Sequence, residues 1–321
     1  MGPHMTPLVV ALVILAACGQ PPSETSSPNA GPDTPTTVIT NEPQRNATAD
    51  AGGTPLLAVG DIASCTVTAD EDVAALVAER TADVAILGDA VYDSGTLIEY
   101  QTCFDPAWRP MWDRLYPAVG NHDYKTENAA GFFAYFEERT HRQGKGWYGF
   151  DLGEHWRAIV LNSNCSKVGC TRDSGQGRFL ASQLEAAATA NRHVVAIAHH
   201  PRYSSGDHGP TPALKPFFRM LYRAGAPLFL AGHDHSYERF APQNAIGERD
   251  PDGVRQFVVG TGGKSHYAFD GAPLRHTQVR DATTYGILKL RLRADGYSWR
   301  FIRIDGDGDF SDSGSKTLPL P

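Results

Sequence analysis

The sequence predicts an α/β fold, and three features of its patterning carry that prediction. Short apolar runs rich in β-branched residues alternate with helical stretches through most of the chain, as expected for parallel strands joined by crossover helices. Several of these runs close on Gly followed by a polar residue: Gly60-Asp61, Gly88-Asp89, Gly120-Asn121 and Gly232-His233. Toward the end, residues 255–260, 286–294 and 297–305 alternate apolar and polar side chains. That change of period predicts antiparallel strands completing a second sheet, with Ala294-Asp295-Gly296 as a hairpin turn.

Composition sets the outer limits. With 321 residues, 41% hydrophobic and 10% aromatic, the chain holds one large or two small domains and can bury a sizeable core. The net charge of −7 and the absence of any long Lys/Arg run exclude nucleic acid as a main partner. Nothing in the composition indicates an oligomeric state.

The chain begins with Met1-Gly2-Pro3-His4-Met5, which reads as a cloning scar. Leu8 to Ala17 is an apolar run too short to span a bilayer but suited to the core of a signal peptide. It ends in Leu15-Ala16-Ala17-Cys18, which resembles the lipobox of bacterial lipoproteins, although the cationic segment expected before it is absent. That resemblance implies that Cys18 becomes the acylated first residue, the only link to a membrane. The alternative is an ordinary secretory signal cleaved nearby. Both imply export, and the first implies a lipoprotein facing the periplasm or cell exterior. Residues 19–54 are Pro, Ser, Thr, Asn, Asp and Gly with almost no large apolar side chain, so they cannot bury enough surface to offset ordering. They read as a tether. The expected organisation is 1–18 scar and signal, 19–54 tether and 55–321 a folded domain.

Besides Cys18, Cys65, Cys103, Cys165 and Cys170 remain. An even number in an exported chain predicts two disulfides, with three possible connectivities. Local spacing favours Cys165–Cys170, which leaves Cys65–Cys103 by default. A thiolate metal site is the alternative, and the spacings do not fit zinc pairs.

Taken in order, residues 55–59 form a buried strand ending at Asp61, 70–80 a helix, and 83–87 a strand ending at Asp89 with Tyr92 three residues on. Strand, helix and strand in so short a span predict a right-handed βαβ unit that delivers both aspartates to one sheet edge. Residues 97–115 read as helical but interrupted by Pro106 and Pro110. A third strand ends in Asn121-His122-Asp123; 129–139 is helical; 147–152 and 156–162 are strands. A helix over 178–190 precedes the strand 193–198, which ends in His199-His200-Pro201. Another over 212–224 precedes the strand 227–231, which delivers His233-Asp234-His235. Near the end, Asp305, Asp307, Asp309 and Asp312 resemble a calcium loop, but Phe310 and Lys316 occupy the positions needing glycine and an acid. An exposed acidic turn is expected there.

Five strand ends thus carry Asp61, Asp89 with Tyr92, Asn121 with His122, His199, and His233 with His235. Hard oxygens mixed with imidazoles suit iron, zinc or manganese rather than a thiolate centre. The donors suffice for two metals sharing one carboxylate, the arrangement that clamps both oxygens of an in-line phosphoryl displacement. The residues themselves point to a two-metal hydrolase.

As an ordered set, Gly60-Asp61, Gly88-Asp89-Ala90-Val91-Tyr92, Gly120-Asn121-His122-Asp123, His199 and Gly232-His233-Asp234-His235 resemble the motif blocks of the purple acid phosphatases. That family lies within the calcineurin-like metallophosphoesterase superfamily, and the resemblance spans roughly residues 55–305. It implies a four-layer α/β (α+β) fold, two mixed sheets packed as a sandwich with helices on both outer faces. It implies one metal held by Asp61, Asp89, Tyr92 and His235, and a second held by Asp89, Asn121, His199 and His233. His199 is preferred to His200 because the family's ligand lies two residues before the proline, here Pro201. Tyr92 implies Fe(III) at its site, with zinc, iron or manganese at the other. Most members of the superfamily carry a His where this chain has Ala63. His122 and His208 match histidines that contact substrate phosphate, one of which protonates the leaving oxygen. Tyr237, Glu238 and Arg239 match a further stretch without an assigned role. The implied reaction is attack by a metal-bound hydroxide on a small-molecule phosphate monoester, with no covalent intermediate. A phosphodiesterase or nucleotidase on the same metals is the alternative, and a non-catalytic phosphate-binding lipoprotein is a third reading.

Overall fold

The computed structural model of the protein describes Gly2 and residues 52–140 and 144–321. The chain divides into Met1–Pro43 and Gln44–Pro321, and every element described here belongs to the second unit. The signal-peptide run, Cys18 and the tether up to residue 51 lie outside the described residues.

The chain starts in one sheet, crosses to another and returns. It first lays down β1 (Thr54–Val59), β2 (Ala63–Ser64), β3 (Asp83–Ile86), β4 (Val91–Tyr92) and β5 (Leu115–Pro117). It then builds β6 (Tyr148–Leu152), β7 (Trp156–Val160), β8 (His193–Ile197), β9 (Leu228–Ala231), β10 (Tyr237–Phe240), β11 (Arg255–Val259) and β12 (Thr277–Asp281). It comes back with β13 (Gly286–Arg293), β14 (Gly296–Arg303) and β15 (Ser313–Thr317). The first sheet has the order β15-β14-β13-β1-β3-β5, the second β12-β10-β11-β9-β8-β7-β6, and β2 pairs with β4 in a small ribbon.

Alternation along the strands explains the layering. In β1, Leu56 and Ala58 join a core between the sheets that includes Trp156, Val195, Leu230, Phe257, Leu290 and Trp299. Leu57 and Val59 face the other way, against Val73 and Val77 of the helix Ala69–Ala78 and the aromatic side chains Tyr100, Phe104 and Trp108. The second sheet repeats the arrangement: Ile159, Ala196 and Phe229 pack outward on Leu180 and Leu184 of the helix Gly175–Thr189 and on Phe217 and Leu221 of Lys215–Arg223. Strands buried on both faces read as continuous apolar runs, which is why the early strands stand out in the sequence. The result is the helix–sheet–sheet–helix sandwich.

β1 and β3 pair in parallel, as do β3 and β5. β7, β8, β9 and β11 are likewise parallel neighbours. Two expectations need correction here. The tail strands do not form one second sheet: β13 to β15 extend the first sheet from the edge of β1, whereas β11 inserts into the second. Alternation reports that one face of a strand is buried; it does not report the partner. The stretch at Pro106 and Pro110 also deforms rather than breaks. A π-turn over Tyr100–Phe104 leads into Asp105–Trp108 and then a 3₁₀ segment Arg109–Arg114, each proline sitting in a first turn where its missing N–H costs little.

Both expected disulfides are present, Cys65–Cys103 with Cα atoms 4.9 Å apart and Cys165–Cys170 at 5.1 Å. Among the described residues no helix is long and apolar enough to cross a membrane.

The acidic tail holds a third correction. Asp305 and Asp309 are exposed as expected, but Asp312 is buried. Its Oδ2 accepts from Tyr237 Oη at 2.6 Å, Arg239 Nε at 2.7 Å and Trp299 Nε1 at 3.0 Å, while Oδ1 accepts from Arg239 Nη2 at 3.0 Å. Tyr237 and Arg239 lie on the second sheet and Trp299 on the first, so this carboxylate ties the two together. Removing one partner of a buried ion pair strands the other charge, and Asp312→Ala should therefore lower the unfolding free energy by about 3–5 kcal/mol. Asp309→Ala should change it by less than about 0.5 kcal/mol. Equal effects of the two substitutions in urea unfolding would refute the tie.

Candidate metal centre

The parallel strands of both sheets point their carboxyl ends at one edge, and the segment following each strand turns there. Three of the turning residues adopt left-handed backbone without being glycine: Asp61 with φ 61°, Asp89 with φ 45° and His233 with φ 75°. Each costs on the order of 1–3 kcal/mol, strain that persists only where the surroundings over-determine it. The preceding glycines serve close approach. A Cβ on Gly120 would run into the Asp89 carboxylate, and one on Gly88 would lie 2.5 Å from His199 Nδ1. The recurring Gly-polar spelling therefore lets neighbouring loops touch.

What converges is a tight group of donors. One ligand atom each from Asp61, Asp89 and His199 lies within 4.8 Å of the others, and all three residues are buried. On one side, Tyr92 Oη donates to Asp61 Oδ1 at 2.8 Å and sits 3.0 Å from His235 Nε2, which is 3.5 Å from Asp61 Oδ1. On the other side, His199 Nε2 lies 2.8 Å from Asn121 Oδ1, 3.2 Å from His233 Nδ1 and 3.3 Å from Asp89 Oδ2. Backbone amides hold the carboxylates: His233 N–H donates to Asp61 Oδ2 at 2.8 Å, and His122 N–H to Asp89 Oδ1 at 2.9 Å. All seven residues expected as ligands thus meet at one place.

The chemistry of this set fits cations. His199 Nδ1 lies 2.8 Å from the Leu87 carbonyl oxygen, which can only accept, so Nδ1 carries a proton. In the neutral ring Nε2 then presents a lone pair to two oxygens and another imidazole nitrogen. A single proton there serves one of those contacts; a metal ion serves them all. Protons alone leave unequal charge states. Burial pushes the Asp61 carboxyl up to about 7, with His199 opposing and Asp89 reinforcing the shift. Burial also works to raise Asp89, but His199 and His122 beside it together outweigh burial and hold that carboxyl well below the usual range. Against its own burial, His199 is raised to about 9 by Asp89. Burial lowers His235 to about 3 and pushes His233 down as well, so both rings are neutral with lone pairs available.

Around this group stand the other histidines. His122 packs on Tyr92 with ring centroids 4.4 Å apart, and its Nδ1 lies 2.6 Å from the Asp93 carbonyl oxygen. His208 stacks its ring on His233 at 4.4 Å, and its backbone N–H donates to Asp234 Oδ1 at 2.8 Å. His200 is held elsewhere, its Nδ1 2.8 Å from Ser163 Oγ, and burial lowers it to about 3. Asp123 is buried, accepting from Tyr100 Oη at 2.6 Å and Gly120 N–H at 2.8 Å, so it orients the turn. Glu238 accepts from Ser205 N–H at 2.7 Å and Thr277 Oγ1 at 2.6 Å, pinning the segment that leads to His208. Arg239 serves the Asp312 tie.

Sequence reasoning missed the segment 262–267. Lys264 N–H donates to the Asp61 carbonyl at 3.2 Å, Ser265 Oγ lies 2.7 Å from His235 Nδ1, and Tyr267 stacks on the His235 ring at 4.0 Å. The signal that would have found it is the direction of β11. Read as part of an antiparallel tail, that strand ends anywhere; running parallel to β9, it ends at the ligand edge.

Comparison with known proteins agrees with this geometry. The calcineurin-like phosphoesterase family profile matches residues 54–237. Tartrate-resistant acid phosphatase type 5 of Rattus norvegicus is 35% identical over 79 residues, 24% of this chain and 24% of that protein. An acid phosphatase of Aspergillus ficuum is 30% identical over 140 residues, 37% of this chain and 23% of its own length. The matches therefore span about a quarter of those relatives. In fold, a purple acid phosphatase from yellow lupin (Lupinus luteus) seeds superimposes with a TM-score of 0.71 at 16% identity, over 84% of this chain and 54% of that one. With the family profile covering more than half of its length, this chain belongs to the calcineurin-like phosphoesterase family.

Proposed function

We propose that the chain is a two-metal phosphatase that hydrolyses small-molecule phosphate monoesters. The observation that carries this reading is the crowding at His199 Nε2, where Asn121 Oδ1, His233 Nδ1 and Asp89 Oδ2 converge at 2.8–3.3 Å on one ring nitrogen. Asp61, Tyr92 and His235 would hold one cation and Asn121, His199 and His233 the other, with Asp89 between them. Two cations supply Lewis acidity at phosphorus and a nucleophile from water near neutral pH. The residues of this chain do the rest. Asp89, fixed by the His122 amide, would contribute to both positions. His122 is held through Nδ1 by the Asp93 carbonyl, so its Nε2 is left to face the ester; as imidazolium it donates a proton to the departing oxygen. His208, stacked on His233, contributes a hydrogen bond to a phosphoryl oxygen.

The test is phosphate release from an aryl monoester beside its matching diester. The reading expects a strong monoester preference, and loss of at least about 10²-fold in kcat for Asp89→Asn, as for removal of one group acting on the transition state. Full activity in that variant would end the two-metal assignment, and a diester preference would move the substrate class while keeping the site.

Fe(III) is the expected occupant at Tyr92, because a phenolate is a hard anionic donor. Iron-loaded protein should absorb visible light through the phenolate, and Tyr92→Phe should bleach it. A band that survives in the variant would place the iron elsewhere.

Export, with a lipid on Cys18, is part of the same proposal. It is supported by the pairing of Cys65–Cys103 and Cys165–Cys170, which belongs to an oxidising compartment. In bacterial cells Cys18→Ser should shift the protein from the membrane fraction to the soluble one. Unchanged fractionation would remove the anchor.

A further inference from the structure

The two halves of the donor group are supported differently. His199 gives its outer nitrogen to the Leu87 carbonyl at 2.8 Å, a backbone partner fixed by the sheet. His235 gives its outer nitrogen, Nδ1, to the Ser265 hydroxyl at 2.7 Å, on a segment outside the strands. That same segment reaches the rest of the Tyr92 half. Gly262 N–H donates to the Gly60 carbonyl at 2.9 Å, and Lys264 N–H to that of Asp61 at 3.2 Å. Lys264 Nζ lies 5.1 Å over the Tyr92 ring while bonding Asp93 Oδ1 at 3.0 Å and Ser64 Oγ at 3.2 Å. Tyr267 covers the His235 face with rings only 10° from parallel.

A metal at the Tyr92 position needs the lone pair on His235 Nε2, the atom facing Tyr92 Oη and Asp61. The ring proton must then sit on Nδ1, and Ser265 Oγ is its acceptor. Such an outer partner fixes the tautomer, the ring orientation and the basicity of the ligand nitrogen, and its loss costs about 10–100-fold in metal affinity. We propose that Ser265 is the positioning residue of the Tyr92 metal position, setting the tautomer of His235 from the segment 262–267. It tunes one metal position and leaves the other alone. This inference rests on the two-metal reading.

The test is calorimetric titration of the metal-free, full-length protein with zinc ion alone, at matched circular dichroism to confirm folding. Two binding steps are expected in the wild type, one of them weakened by Tyr92→Phe. Ser265→Ala should weaken that same step by about 10–100-fold and spare the other. Ser265→Thr, which keeps the hydroxyl, should restore it; a purely steric role would not predict that rescue. Two steps in the wild type with Ser265→Ala unchanged, or with both steps weakened equally, would overturn the inference and leave the two-metal reading standing. A wild type that binds no zinc would take both down.

Discussion

The structure is arranged around a contact that is unfavourable by itself: two buried carboxylates, Asp61 and Asp89, packed with the His199 ring and the neutral imidazoles of His233 and His235. Taking an ion out of water costs on the order of several kcal/mol even after relaxation. The left-handed backbone at Asp61, Asp89 and His233 adds to that cost. What holds these groups together is the sandwich behind them. The inter-sheet core, the outer helix layers and the Asp312 tie fix the sheet edge from which every donor turn departs. Stability is thus concentrated in the body of the domain, and strain at its edge.

That division explains what could be read from the sequence. A parallel strand buried on both faces announces itself as an apolar run, and its carboxyl end lies at the ligand edge whatever its neighbours are. Asp61, Asp89, Asn121, His199 and His233 follow such runs, so their convergence was legible before any pairing was known. Gly88 and Gly120 were legible for a related reason: close approach tolerates no Cβ, and the requirement leaves a fixed spelling. By contrast, Ser265 and Lys264 follow β11, whose partner depends on a chain crossing that alternation does not encode. Asp312 sits among exposed aspartates in sequence and differs from them only by meeting Arg239, Tyr237 and Trp299, which come from distant parts of the chain. Local chemistry was readable; long-range pairing was not.

The same reasoning separates His199 from its neighbour His200. Both lie just beyond β8, and they are the same residue type. His199 turns inward because its Nδ1–H finds the Leu87 carbonyl of the adjoining sheet, bringing Nε2 to Asp89 and Asn121. For His200, Ser163 accepts the backbone N–H at 2.8 Å and meets the ring Nδ1 at the same distance, which commits that nitrogen to the protein. Hydrogen bonding thus places His199, and not His200, against Asp89 and Asn121.

The asymmetry between the two halves is the last consequence of this architecture. His199 is braced by a backbone carbonyl, which the sheet fixes and no substitution can remove. His235 is braced by a hydroxyl, a stacked phenol and a lysine's neighbourhood, all on the segment 262–267. Side chains vary where backbone does not, so the Tyr92 half is the one whose imidazole basicity and electrostatic setting the sequence is free to adjust. Donors placed by equivalent strand ends alone would have equivalent surroundings. Here a single segment after a parallel strand breaks that equivalence, bracing His235 through Ser265 and Tyr267.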